Sequence, residues 1–229
     1  MARQTTLMVL AVVLAAVLIG WLLSANIDTT PLNRGLPWQI ETLDDGSSRV
    51  FQIHLGHTTL AEVSHNFKQQ PEFTMFVTEG QAPVIEVYFN RLRISGLGAK
   101  MVMGFELPAA DLEAIYNRGV RISTLGSGER KVTMSDDDLA YIRQQPVVSI
   151  TYIPSVKLDA ELVKKRFGEP AERIQENSDT EHWLYPQKGL DIVLNRGSKG
   201  LLQYVRPSRF EQVVKPLKAL SEQTDKNNE

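Results

Sequence analysis

Histidines, carboxylates and aromatic residues are where this chain can do chemistry, because it contains no cysteine. Thiolate nucleophiles, disulfides and zinc sites with Cys ligands are therefore excluded. Of the four histidines, His54 and His57 stand three apart in "HLGH", His65 follows eight later, and His182 lies far along the chain. Imidazoles suit Zn, Cu or Ni, and a catalytic zinc site needs three protein ligands and an open position. The local pattern argues against one. His54 alternates with Ile53 and Leu55 as the surface residue of a strand does, His57 falls in a turn, and His65 falls inside the next helix. No metal ligand and no cofactor is expected.

Asp136, Asp137 and Asp138 lack the spacing and the later Glu of a calcium loop. They read as first-turn carboxylates that favour the helix dipole. Gly96–Gly98 and Gly126–Gly128 read as turns between strands; no G-x-G-x-x-G enters a helix and no G-K-[ST] follows one. There is no G-x-S-x-G elbow. A non-enzymatic protein is expected, with no catalytic residue to name. Trp183 and Tyr185 are two apart and share one face of an expected strand, with Tyr204 across from them. Core packing of a small sheet is the first reading. A partner-binding patch of Trp183, Tyr185 and Tyr204 is the alternative, since Trp and Tyr are favoured interface anchors.

The elements that position these residues follow from caps and periodicity. Thr59-Leu-Ala-Glu62 is a capping box, followed by Leu60, Val63 and Phe67 on one helical face. Pro108 precedes a helix closed by Gly119, Ser135 caps a short helix ended by Pro146, and Ser208–Glu211 opens a last helix with a break at Pro216. The segments "EFTMFVTEG", "VIEVYFNRLRI", "AKMVMGFEL", "VVSITYI", "EHWLYP", "GLDIVLN" and "LLQYVRP" read as strands.

The run Leu7–Leu23 carries no charge. As a helix it spans roughly 26 Å at 1.5 Å per residue, near the short limit for a bilayer core. It reads as a retained anchor, with a cleaved signal peptide as the competing reading because "LSA" before Asn26 is a tolerable cleavage site. Arg3 precedes the run, so the remainder is expected on the periplasmic side of a bacterial inner membrane, as a single-pass protein. A net charge of −2 gives no reason to expect nucleic acid as a partner.

Ile53–Phe67 lies over Ile153–Phe167 without a gap, matching Ile53 to Ile153, Val63 to Val163 and Phe67 to Phe167. A turn with proline and antiparallel strands follow each copy. The second copy, with its "FGEP" turn and the strands through Pro207, resembles the BamE (SmpA/OmlA) type of envelope protein and the β-lactamase-inhibitor-protein fold. The resemblance covers Ile153–Pro207. It implies a helix on a small antiparallel sheet, with Leu162, Val163 and Phe167 buried, and an envelope protein that binds other proteins. "FKQQPEF" departs from the Gly-x-Pro turn in the first copy, and the lipidated Cys of the BamE type is missing.

The expected fold class is α+β, with a transmembrane helix followed by one or two helix-plus-antiparallel-sheet units. Residues 1–25 are expected as the anchor, 26–48 as a linker, 49–145 and 146–221 as the two units, and 222–229 as a frayed tail. The expected function is that of a membrane-anchored, periplasmic protein-binding or scaffold subunit. Its partners would be an envelope or inner-membrane complex and, through residues 7–23, the lipid bilayer. An inhibitor of an envelope hydrolase and an enzyme without a recognisable motif are the alternatives.

Overall fold

The computed structural model describes residues 35–227. Three short strands, β1 (Glu41–Thr42), β2 (Ser48–Val50) and β3 (Ile53–His54), form a small antiparallel sheet. Ten more strands follow: β4 (Glu72–Val77), β5 (Val84–Ile94), β6 (Leu97–Gly104), β7 (Arg121–Thr124), β8 (Arg130–Thr133), β9 (Ser149–Pro154), β10 (Glu172–Gln175), β11 (Thr180–Tyr185), β12 (Leu190–Asn195) and β13 (Leu201–Val205). They make one antiparallel sheet in the order β10-β11-β12-β13-β9-β6-β5-β4-β8-β7. The described helices are α1 (Leu60–Phe67), α2 (Ala109–Asn117), α3 (Asp136–Arg143), α4 (Ala160–Phe167) and α5 (Glu211–Asn227).

Local chemistry sets the helix starts. The Thr59 hydroxyl accepts from the Glu62 amide, and the Glu62 carboxylate accepts from the Thr59 amide at 2.7 Å, which satisfies two donors that α1 leaves unpaired. Asp159 accepts from the amides of Glu161 and Leu162 and caps α4. Gly168, at a φ of 86°, ends it. Alternation sets the strand faces. Ile85, Val87 and Phe89 of β5 are buried, and a register shift between Phe89 and Leu92 brings Leu92 back to the same buried face. Met101 and Met103 of β6 and Ile150 and Tyr152 of β9 continue that face, and one apolar cluster runs across the sheet.

This architecture corrects the expected fold class. The two halves do not fold as units with separate sheets. β9 pairs with β13 on one side and with β6 on the other, through a ladder from Ala99↔Pro154 to Gly104↔Ser149. The expected boundary at 145/146 therefore falls just before a central strand of one sheet, within one compact unit that begins at Gly35. The repeat fails for the same reason. Both matched segments are helices preceded by a strand, but β3 belongs to the small sheet and β9 to the middle of the large one. Leu162 of α4 is exposed; only Val163 and Phe167 are buried.

The ends of the described region are corrected too. The second half of the expected linker is part of the fold: Trp38 packs against the core, the Arg166 guanidinium lies 4.4 Å from its ring centre, and Pro37 accepts a hydrogen bond from Tyr204. The expected tail from residue 222 continues α5 to Asn227. Among the described residues no helix is long and apolar enough to cross a membrane. The placement as a single-pass inner-membrane protein is corrected accordingly. The run Leu7–Leu23, on which it rests, lies outside the described residues.

Two turns need glycine for different reasons, and substitution separates them. Gly46 has a φ of 75° with open space where a Cβ would go, whereas a Cβ on Gly189, at a φ of 59°, would overlap the Val205 carbonyl. Gly46→Ala is expected to cost about 1–2 kcal/mol from backbone strain alone. Gly189→Ala is expected to cost clearly more. Urea denaturation of the two variants checks the order, and equal losses would contradict it.

Candidate functional site

The aromatic trio is core. Trp183, Tyr185 and Tyr204 are each at most 4% exposed. Trp183 pairs with Ile192 across the ladder, and Leu190 is flanked by Tyr185 and Tyr204, so all share the face that α4 covers. Each polar tip finds a partner, as buried Trp and Tyr require. Trp183 donates to Glu181, Tyr185 to the Gly168 carbonyl at 2.9 Å, and Tyr204 to the Pro37 carbonyl at 3.0 Å. Burial pushes the Tyr185 phenol up to about 12, helped by the nearby Glu169 charge, and raises Tyr204 well above its ordinary value. These residues therefore form no exposed patch, and the partner-binding reading of them is corrected.

The opposite face of β11 and β12 carries a buried polar pair. His182 Nδ1 lies 2.8 Å from Asp191 Oδ2, and its Nε2 lies 3.4 Å from Glu176 Oε2. Burial alone would lower the imidazole pKa; the hydrogen bond and charge of Asp191, with those of Glu176, outweigh it and raise the value. Asp191 Oδ1 is buried with no hydrogen-bond partner. A His–Asp pair is the base and orienter of a hydrolase triad. Here a carboxylate, not a hydroxyl, faces the outer nitrogen, and His182 is 6% exposed. The arrangement holds a proton between carboxylates rather than activating a nucleophile. Phe210 and Val214 of α5 pack beside it on Ile174 and Leu184.

Asp45, His54 and His57 converge on the small sheet. Asp45 Oδ2 lies 3.4 Å from His54 Nε2 and 3.4 Å from His57 Nε2, and the two rings stack 4.0 Å apart. Ser47 bonds the other Asp45 oxygen through its hydroxyl and its amide. Those bonds, first, and then the histidines hold the Asp45 carboxyl at about 2. Asp45 sits nine residues before His54, in a turn the sequence offers no reason to link with "HLGH". His65 is exposed on α1, away from this group, and His182 is on the large sheet. The Asp136–Asp138 run divides. Asp136 and Asp137 are exposed, while Asp138 is buried against Arg118 and Ser135.

A third feature is the sheet edge at β7, a segment not among the expected strands. Val120, Ile122 and Leu125 are 70%, 46% and 39% exposed. No described strand pairs with the outer side of β7. The bond from the Leu125 amide to the Glu129 carbonyl, in register with Thr124↔Arg130, turns the odd-numbered residues of β7 toward β8. The backbone groups of Ile122 and Thr124 therefore face outward.

No protein-family model, curated protein or solved structure matches the chain. The resemblance of Ile153–Pro207 to the BamE type rests on its residue pattern alone.

Two outcomes follow from this geometry. Trp183→Ala should cost roughly 3–5 kcal/mol, the usual loss for a buried aromatic, measured by chemical denaturation; a fold of unchanged stability would contradict the core assignment. The raised His182 pKa makes its pairing fully stabilising below about pH 6.5, the value of the unfolded chain. That stabilisation should fade as pH rises through the folded-state value. Stability measured against pH should show this decline in the native chain and not in His182→Gln; parallel profiles would contradict it.

Proposed function

We propose that this chain is a non-enzymatic protein-binding module that takes up an extended segment of a partner polypeptide along β7. The observation that carries the reading is the unprotected edge: aliphatic side chains exposed beside outward-facing backbone groups. Proteins usually blunt such edges with charge, covering elements or bulges. The other edge of the same sheet is treated that way. β10 displays Glu172, Arg173 and Gln175, and Lys218 of α5 pairs with Glu172 at 3.0 Å. On β7, main-chain hydrogen bonds would supply affinity, and Ile122 would select an apolar residue on the incoming strand. Arg121 and Lys131, both exposed, favour acidic residues in that strand.

A photo-crosslinking residue at position 122 of the full chain, produced in its own cells, should yield one discrete adduct with another polypeptide. The same probe at Glu86, on the exposed side of β5, should not. Ile122→Pro removes an outward N–H without disturbing the pairing with β8. It should abolish the adduct formed by a probe at position 124 and leave the melting temperature nearly unchanged. Equal labelling at 86 and 122, or an adduct indifferent to the proline, would overturn the proposal.

A further inference from the structure

We infer that Asp45, His54 and His57 form a binding site for a divalent late first-row transition-metal ion of the zinc type. One ligand atom from each residue lies within 4.8 Å of the others. With metal–donor bonds of about 2.0–2.1 Å, the donor atoms of a tetrahedral site stand about 3.3 Å apart. Asp45 Oδ2 is 3.4 Å from each imidazole Nε2, so two edges of that tetrahedron already exist.

The fold builds this arrangement from three local devices. The turn at Leu43–Ser47 is closed by the Leu43 amide on the Ser47 carbonyl and the Gly46 amide on the Leu43 carbonyl. Ser47 then holds one Asp45 oxygen, which leaves the other aimed at the rings. His54 is fixed on β3, where its amide donates to the Thr58 hydroxyl. His57 is returned over it by a turn in which the amides of His57 and Thr58 both donate to the His54 carbonyl. The His57 side chain is 56% exposed and gives the ion an entry path. The rings stack with a tilt of 26°, so His57 must turn about its side-chain bonds to aim its lone pair at the ion, and His54 must exchange its contact with Ser47 for it.

Two imidazole nitrogens and one carboxylate suit Zn, Ni, Cu or Co. Calcium needs six or more oxygens, and magnesium an octahedron of them. Three protein ligands leave one position open for water or for a donor from another molecule. The site stands on the small sheet and is separate from β7, so it does not depend on strand capture there.

The full chain, stripped with EDTA and titrated calorimetrically with Zn2+ at neutral pH, should bind one ion with a Kd below about 0.1 mM. Asp45→Asn and His57→Gln should each weaken it more than about a hundredfold, beyond the loss typical of a second-shell partner. His65→Gln should leave it unchanged. Bound Co2+ should show the visible bands of a tetrahedral site in the native chain, which reads out the site without any variant. Far-UV circular dichroism establishes that the variants are folded. Absence of binding, no tetrahedral Co2+ spectrum, or binding that survives both Asp45→Asn and His57→Gln would overturn the assignment and leave an ion-pair cluster only.

Discussion

The ladder between β6 and β9 is the constraint on which the rest of the structure depends. Without it the chain would be two five-stranded sheets, each with another exposed edge. With it, ten strands form one sheet whose main apolar face runs from β11 to β8, and Met101 and Met103 of one half lie beside Tyr152 and Ile150 of the other. A parallel seam would need a crossover, but here antiparallel strands meet after helical detours of the chain. The close approach is fitted by small residues. A Cβ on Gly104 would overlap the Ser149 hydroxyl across the ladder.

Phe51 helps to lock the small sheet onto that face, beside Val50, Ile53 and Leu55 of the same cluster. Phe51 stacks on Tyr152 at 5.1 Å and meets Tyr204 edge-on at 5.5 Å. It does so from a turn in which Phe51 and Gln52 both have positive φ, a conformation costly for residues with a side chain. Burial of an aromatic ring, worth roughly 1.5–3 kcal/mol, offsets that strain. The same turn joins β2 to β3 and so places His54 across from the Asp45 turn. Core packing and the candidate metal site thus share one anchor.

The second face of β11 and β12 carries a buried polar group beside the apolar cluster of Ile174, Leu184, Phe210 and Val214. The His182–Asp191–Glu176 chain lies inside the sheet rather than at a cleft, and its unsatisfied Asp191 oxygen is a cost the fold carries there. The chemistry open to solvent lies elsewhere, at the exposed His57 beside the half-buried His54 on the small sheet and at the bare backbone of β7. The first is the proposed site for an ion and the second for an extended chain.

What the sequence determined by itself was local. The caps at Thr59 and Ser135, the stop at Gly168 and the two-residue alternation of β5, β6, β11 and β12 depend on neighbours within a few residues, so they were legible. The order of the strands was not. Whether β9 is an edge or a centre depends on a partner some fifty residues away in β6, and alternation is the same in either case. The trio shows the same limit. Spacing put Trp183 and Tyr185 on one face, but only the packing of α4 and the approach of Pro37 made that face core. Asp45 joined the two histidines only because a turn at Phe51 and Gln52 folded β2 back along β3. A turn that relies on non-glycine residues at positive φ leaves no mark in composition; it forms because the tertiary core receives the Phe51 ring.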